Sequence, residues 1–194
     1  ETDNPMFGRT NNPWNLDRAP GGSSGGEGAI IAAGGSPLGL ASDLGGSIRL
    51  PAHFCGIHGL KPTTQRLTKT GAAENFRGLE TLHFQPGPLA RKVEDLELAM
   101  QVLCAEPWQR SSADFQVPPV AWRKSSDVDV SQLRVAMWDD DGFVTPCPAI
   151  RRVIKESAEA LVSAGATVES FERPDSEEGL KLYFGLLGAD GAAD

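Results

Sequence analysis

The 194-residue chain carries 26 acidic against 18 basic side chains, a formal charge of -8, and no basic cluster longer than a pair such as Arg151 and Arg152. That balance argues against nucleic acid as a partner, which calls for a basic patch or stripe; the longest apolar run, residues 29–33, falls far short of the ~20 residues of a membrane span. The length is enough to bury a core in one or two domains, and three widely spaced cysteines, Cys55, Cys104 and Cys147, suit a reduced, cytoplasmic setting better than a disulfide framework.

Between Gly21 and Gly59 lie 12 of the chain's 22 glycines and five serines. A flexible spacer would lack the Ile30, Ile31, Leu38, Leu40, Leu44, Ile48, Leu50 and Phe54 that can bury this stretch. Residues 24–34 read as a helix, with small residues for tight packing, Glu27 in the first turn and Gly34-Gly35 at the stop. Residues 38–42 are short and apolar, as in a buried strand, and 43–54 read as an irregular, glycine-started loop where strand-end chemistry is displayed. Residues 83–91 form a strand that Pro86 and Pro88 assign to an edge or a bulge. From Val93 the spacing of Val93, Leu96, Met100 and Leu103, with Glu94 and Asp95 at the start, predicts a helix. Residues 105–131, with Pro107, Pro118 and Pro119, read as an exposed excursion. A strand at 133–138 follows, then a helix whose stripe is Ile150, Val153, Ile154, Ala158, Leu161 and Val162, stopped by Gly165, and a second strand at 166–171. Strand, helix, strand in that order predicts α/β architecture with parallel pairing.

In Asp43-Leu44-Gly45-Gly46-Ser47, consecutive backbone N–H groups precede a hydroxyl, and glycine lets such amides turn toward one point. Ser23 and Ser24 follow Gly21-Gly22 at the start of the predicted helix, where either can cap it. A Ser-His-Asp site built from Ser47 with His53 or His58 is disfavoured: Arg49 stands where the G-x-S-x-G elbow has glycine, and triads rarely assemble within one loop. A phosphate cradle at GGSSGGEG lacks both the Walker lysine and the dinucleotide spacing. Cys55 reads as a buried small hydrophobe.

The segments NNPWNLDRAPGGSSGGEGA, DLGGSIRLPAHFCG and GLKPT together resemble the signature sequence of the amidase signature family of serine hydrolases. The likeness is greatest to the branch of fatty-acid amide hydrolases and fungal acetamidases. It is strong over residues 4–71 and weaker at PGPLAR, 86–91. The resemblance implies the amidase signature fold, a mixed central sheet flanked by helices. It also implies that 1–194 is part of a single such domain, incomplete at both ends, with the strand-helix-strand region at 132–172. Ser47 is then the nucleophile, and Ser23, preceded by a cis peptide bond, is the bridging serine. The N–H groups of Leu44, Gly45, Gly46 and Ser47 form the oxyanion hole, with Ser24, Asp43 and Arg49 in support. For Asp43 and Arg49 a loop-fixing ion pair is the favoured role.

The family's base is a lysine far upstream of the bridging serine, whereas Lys61, Lys69, Lys92, Lys124, Lys155 and Lys181 all follow Ser47. Lys61, in GLKPT, reads as structural, so the base is expected outside this chain. The implied reaction is hydrolysis of a carboxylic or fatty-acyl amide, with a small-molecule or lipid amide as substrate and neither metal nor cofactor. Glu27 and the NNPWN lead-in favour stand-alone amidases over the amidase subunit of a tRNA-dependent amidotransferase. The presence of Ser23, Ser47 and both core glycines disfavours a non-catalytic relative. A homodimer, and membrane association through other segments, are left open.

Overall fold

In the computed structural model, which describes residues 2–72, 83–105, 114, 116–172 and 176–188, the chain forms two units, 1–124 and 125–194. The first begins with a short antiparallel hairpin of β1 (Asp3–Asn4) and β2 (Gly8–Arg9). Then come α1 (Gly25–Ala32), β3 (Leu38–Asp43), α2 (Arg49–Cys55), β4 (His58–Gly59), β5 (Gln85–Ala90) and α3 (Val93–Leu103). Strands β3, β5 and β4 lie side by side in that order, both pairs antiparallel, with Leu38 opposite Ala90 and Asp43 opposite Gln85. The core joins α1, α2 and the sheet through Ile31, Ile48, Ala52 and Leu89, with Ala41 and Ile57 packed against them. Ile31, Ile48 and Leu89, each fully removed from water, contribute on the order of 1.5–3 kcal/mol apiece. A second cluster, Leu67, Met100 and Cys104, packs with Leu60, Leu103 and Trp122 on the inner face of α3.

Three expectations are corrected. Strand β3 is not buried on both faces: Gly39, Ala41 and Asp43 turn inward, while Leu38 and Leu40 alternate to the opposite, open face. With Leu98, Ala99 and Val102 of α3 they line an apolar groove of about 420 Å³. Residues 43–54 are not an irregular loop throughout, because the chain winds into α2 from Arg49. Pro51 falls in the first turn of that helix, where its missing N–H costs nothing, and Gly56 ends it in the left-handed conformation. Strand β5, despite two prolines, is central among the described strands rather than at an edge. Pro88 accepts at its carbonyl from Leu60 N–H, so Pro86 and Pro88 direct their ring nitrogens toward the β4 side. Pairing there extends over only two residues, so few ladder bonds are forfeited.

The second unit holds β6 (Arg134–Met137), α4 (Pro148–Ser163), β7 (Thr167–Ser170) and α5 (Ser176–Leu187). Strands β6 and β7 are parallel, Arg134 opposite Thr167, as the strand-helix-strand order requires. Of the predicted stripe on α4, Ile150, Ile154, Ala158 and Leu161 are half-buried, whereas Val153 and Val162 are exposed. In the described part of 105–131 the chain is irregular apart from two 3-10 turns, Ser125–Asp127 and Val130–Gln132. No helix among the described residues is long and apolar enough to cross a membrane.

Candidate active site

The chain leaves β3 at Asp43, a residue only 1% exposed, and its carboxylate organises the next six residues. Its Oδ1 accepts from Gly46 N–H at 2.8 Å, and its Oδ2 from Ile48 N–H at 3.1 Å and Arg49 N–H at 3.3 Å. Arg49 closes the arrangement as a fork, Nε on Oδ2 at 3.0 Å and Nη2 on Oδ1 at 2.9 Å. Burial pushes the Asp43 carboxyl up, but the guanidinium and the three amides outweigh it and hold the group at about 2. The same carboxylate satisfies amides at the start of α2 and complements the helix dipole there. The loop-fixing ion pair expected of Asp43 and Arg49 is therefore present.

Ser47 sits in this turn between buried Gly46 and Ile48, which is 0% exposed and anchors the turn in the core. Gly46 has φ +123°, a conformation L side chains rarely adopt, and a Cβ there would press on Leu50. Of the four amides expected to form an oxyanion hole, that of Gly46 is already spent on Asp43. The amides of Leu44, Gly45 and Ser47 carry no hydrogen bond among the described residues.

The second serine pair approaches through the backbone. Ser24 N–H donates to the Ser47 carbonyl at 3.3 Å, which sets Ser23 and the start of α1 beside the Ser47 turn. The Gly22–Ser23 peptide bond is cis, and Ser23 is exposed. The expectation that Ser24 caps α1 through its side chain is not met. Its hydroxyl donates instead to the Ser42 carbonyl at 3.5 Å, because the turn places that strand end within reach. Neither the Ser23 nor the Ser47 hydroxyl makes a hydrogen bond among the described residues.

The lysines lie elsewhere in the bonding pattern. Lys61 donates to the Pro62 carbonyl at 2.9 Å, and Lys69 stands 3.4 Å from His83 Nδ1. Lys155 pairs with Asp139 and Lys181 with Glu177. His53 and His58 are exposed, and neither bonds Ser47. Cys55 is buried, with Sγ donating to the Pro20 carbonyl and its thiol pushed up by burial, as a small core residue.

Sequence reasoning used NNPWN only as a likeness and missed what it does. Asn12, 6% exposed, donates Nδ2 to the Phe54 carbonyl at 2.8 Å, and Trp14 donates Nε1 to the Cys55 carbonyl at 2.7 Å. These two donors satisfy carbonyls at the end of α2 that the helix itself leaves open. The helix that follows Ser47 is thus fastened at both ends, by Asp43 and by the lead-in. An amide and an indole side by side are a legible donor signal; their acceptor, some 40 residues on, is not.

A family model described as Amidase matches residues 1–194. The chain is 44% identical over 189 residues to a fatty-acid amide hydrolase 1 of Sus scrofa, covering 97% of this chain and 32% of the relative. It is 40% identical over 201 residues to an acetamidase of Emericella nidulans, covering 100% of this chain and 36% of the relative. Among solved structures, a fatty acid amide hydrolase superposes with a TM-score of 0.89 at 39% identity, covering 98% of this chain and 33% of that one. The mixed helices and sheets are those of the amidase signature fold. The chain belongs to the amidase family, the amidase signature enzymes, and spans about a third of the length of the curated relatives it matches.

Proposed function

We propose that the protein carrying this chain hydrolyses a carboxylic or fatty-acyl amide, with Ser47 as nucleophile, Ser23 as proton relay and a lysine outside residues 1–194 as base. The observation that carries the reading is the Ser24 N–H to Ser47 carbonyl bond. It joins the two serine segments in a chain that the Amidase model matches throughout. In the reaction Ser47 Oγ attacks the amide carbonyl while its proton passes by way of the Ser23 hydroxyl to the neutral lysine. The oxygen that becomes negative is stabilised by backbone amides, for which those of Leu44, Gly45 and Ser47 have no other acceptor among the described residues and that of Gly46 does. The proton returns along the same route to the nitrogen, the amine or ammonia leaves, and water then hydrolyses the acyl-serine to the acid. Asp43 and Arg49 act by holding the turn. Both units are read as parts of one amidase domain, since the family match runs through both.

The substrate class follows the relatives: one is named for fatty-acid amides and the other for acetamide, so the shared bond is the carboxylic amide. The test is labelling of the full-length protein with a fluorophosphonate probe, with the adduct located by peptide mass. The adduct is expected on Ser47 and absent from Ser47→Ala; equal labelling of both proteins would overturn the assignment. Ser23→Ala should lower turnover by several orders of magnitude with the fold intact. Residues 1–194 alone should turn over neither a small aliphatic amide nor a fatty-acyl amide, and turnover matching the full-length protein would place the base within this chain.

A further inference from the structure

Resting on the reading of Ser23 as the relay, we propose that Thr2 is a positioning residue for it. The Thr2 hydroxyl lies at the focus of the main chain on both sides of Ser23. It donates to the Gly21 carbonyl at 3.1 Å, with the Ser23 carbonyl also in reach at 3.3 Å, and it accepts from Gly25 N–H at 3.0 Å. One hydroxyl thereby grips the residues before Ser23, its own carbonyl and the first residue of α1.

The contact also satisfies one of the amides left open at the start of α1. Ser24, the residue in the cap position, turns its hydroxyl to Ser42, and the first amide of the helix, that of Gly25, donates to a partner 23 residues away in sequence. Gly25 makes room for that partner: a Cβ there would collide with Thr2 Oγ1 and with the Pro20 ring. Thr2 is itself held, because its carbonyl accepts from Thr10 N–H at 2.9 Å at the open end of the β1–β2 hairpin. The hairpin therefore registers the Ser23 segment while the Ser24 to Ser47 bond registers it against the nucleophile turn. A hydroxyl relay depends on distance, and a displacement of about 1 Å can cost ~100-fold in rate.

The experiment measures kcat, KM and thermal midpoint of the full-length protein as wild type, Thr2→Val, Thr2→Ser, Ser23→Ala and the Thr2→Val/Ser23→Ala double variant. Thr2→Val keeps the shape and removes the hydroxyl; it should lower kcat by ~10- to 100-fold with KM changed less than about threefold. Thr2→Ser should restore kcat to within about threefold of wild type, and in the Ser23→Ala background Thr2→Val should have no further effect on kcat. A full Thr2→Val loss repeated in that background, or failure of Thr2→Ser to restore kcat, would overturn the proposal. So would a Thr2→Val kcat equal to wild type beside a crippled Ser23→Ala. Wild-type turnover in Ser23→Ala would overturn the relay reading, and this inference with it. If Thr2→Val does not fold, Thr2→Ala replaces it, and loss of the fold in both would make Thr2 a stability determinant and refute the positioning role.

Discussion

The turn at 43–49 and helix α4 each lead away from a strand, yet they are held by different physics. In the turn one buried carboxylate takes five hydrogen bonds from three residues, and the whole path from β3 to α2 depends on it. In α4 a half-buried stripe recurs over Pro148–Ser163, and the polar contacts around it are exposed pairs such as Arg152 with Glu156. A structure specified by contacts concentrates its stability in a few atoms, whereas one specified by periodicity spreads it over many. Chemistry that needs sub-ångström placement belongs on the first kind.

The comparison predicts a ranking of losses. Replacing Asp43 by Ala strands the Gly46, Ile48 and Arg49 amides without their acceptor and should cost about 3 kcal/mol in urea unfolding of the full-length protein. Fluorophosphonate labelling of Ser47 should fall with it. A loss under about 1 kcal/mol would erase the distinction between the two regions.

Acid should expose the same centre. Asp43 titrates at about 2 in the folded chain, and its unfolded counterpart near ~3.9. The folded state therefore favours the charged form, which contributes about 2 kcal/mol that is complete above pH ~5 and drains away as pH falls from ~4 toward 2. Urea midpoints between pH 5 and 2.5 should drop more steeply for wild type than for Asp43→Asn. Parallel slopes would show that the carboxylate is not held as described.

Trp14→Phe removes one donor from the end of α2 and keeps the aromatic bulk, so it should cost about 1 kcal/mol. Arg152→Ala breaks an exposed pair on α4, 68% and 57% exposed at its two side chains, and should shift stability by less than ~0.5 kcal/mol. A thermal scan of both variants in one buffer gives the order directly; a larger shift for Arg152→Ala would invert the argument.

How much was legible follows the same division. The glycine and serine pattern with its family likeness was readable because a signature is local text. So were the onset of α3 at Val93 and the parallel β6–β7 pair, since periodicity of 3.6 or 2 is written within one element. Apart from α2, which was read as loop, the expectations that failed concerned neighbours. Leu38 and Leu40 looked like core until the strand's open face was seen, and Pro86 and Pro88 looked like edge markers until β4 proved only two residues long. Ser24 looked like a cap until its hydroxyl turned to Ser42, and the Gly46 amide looked free until Asp43 took it.

By itself the sequence determined which residue types stand in order around Ser23 and Ser47, the family they belong to, and the elements whose apolar period is self-contained. Only the tertiary structure decided which donors remain available, which face of β3 is covered, and that Thr2, Asn12 and Trp14 fasten the two helices bearing on the serines. The physical reason is that hydrogen bonds between residues 20 to 40 apart depend on directions and distances that arise only when the strands pair and the core closes, and nothing in the local alphabet encodes them.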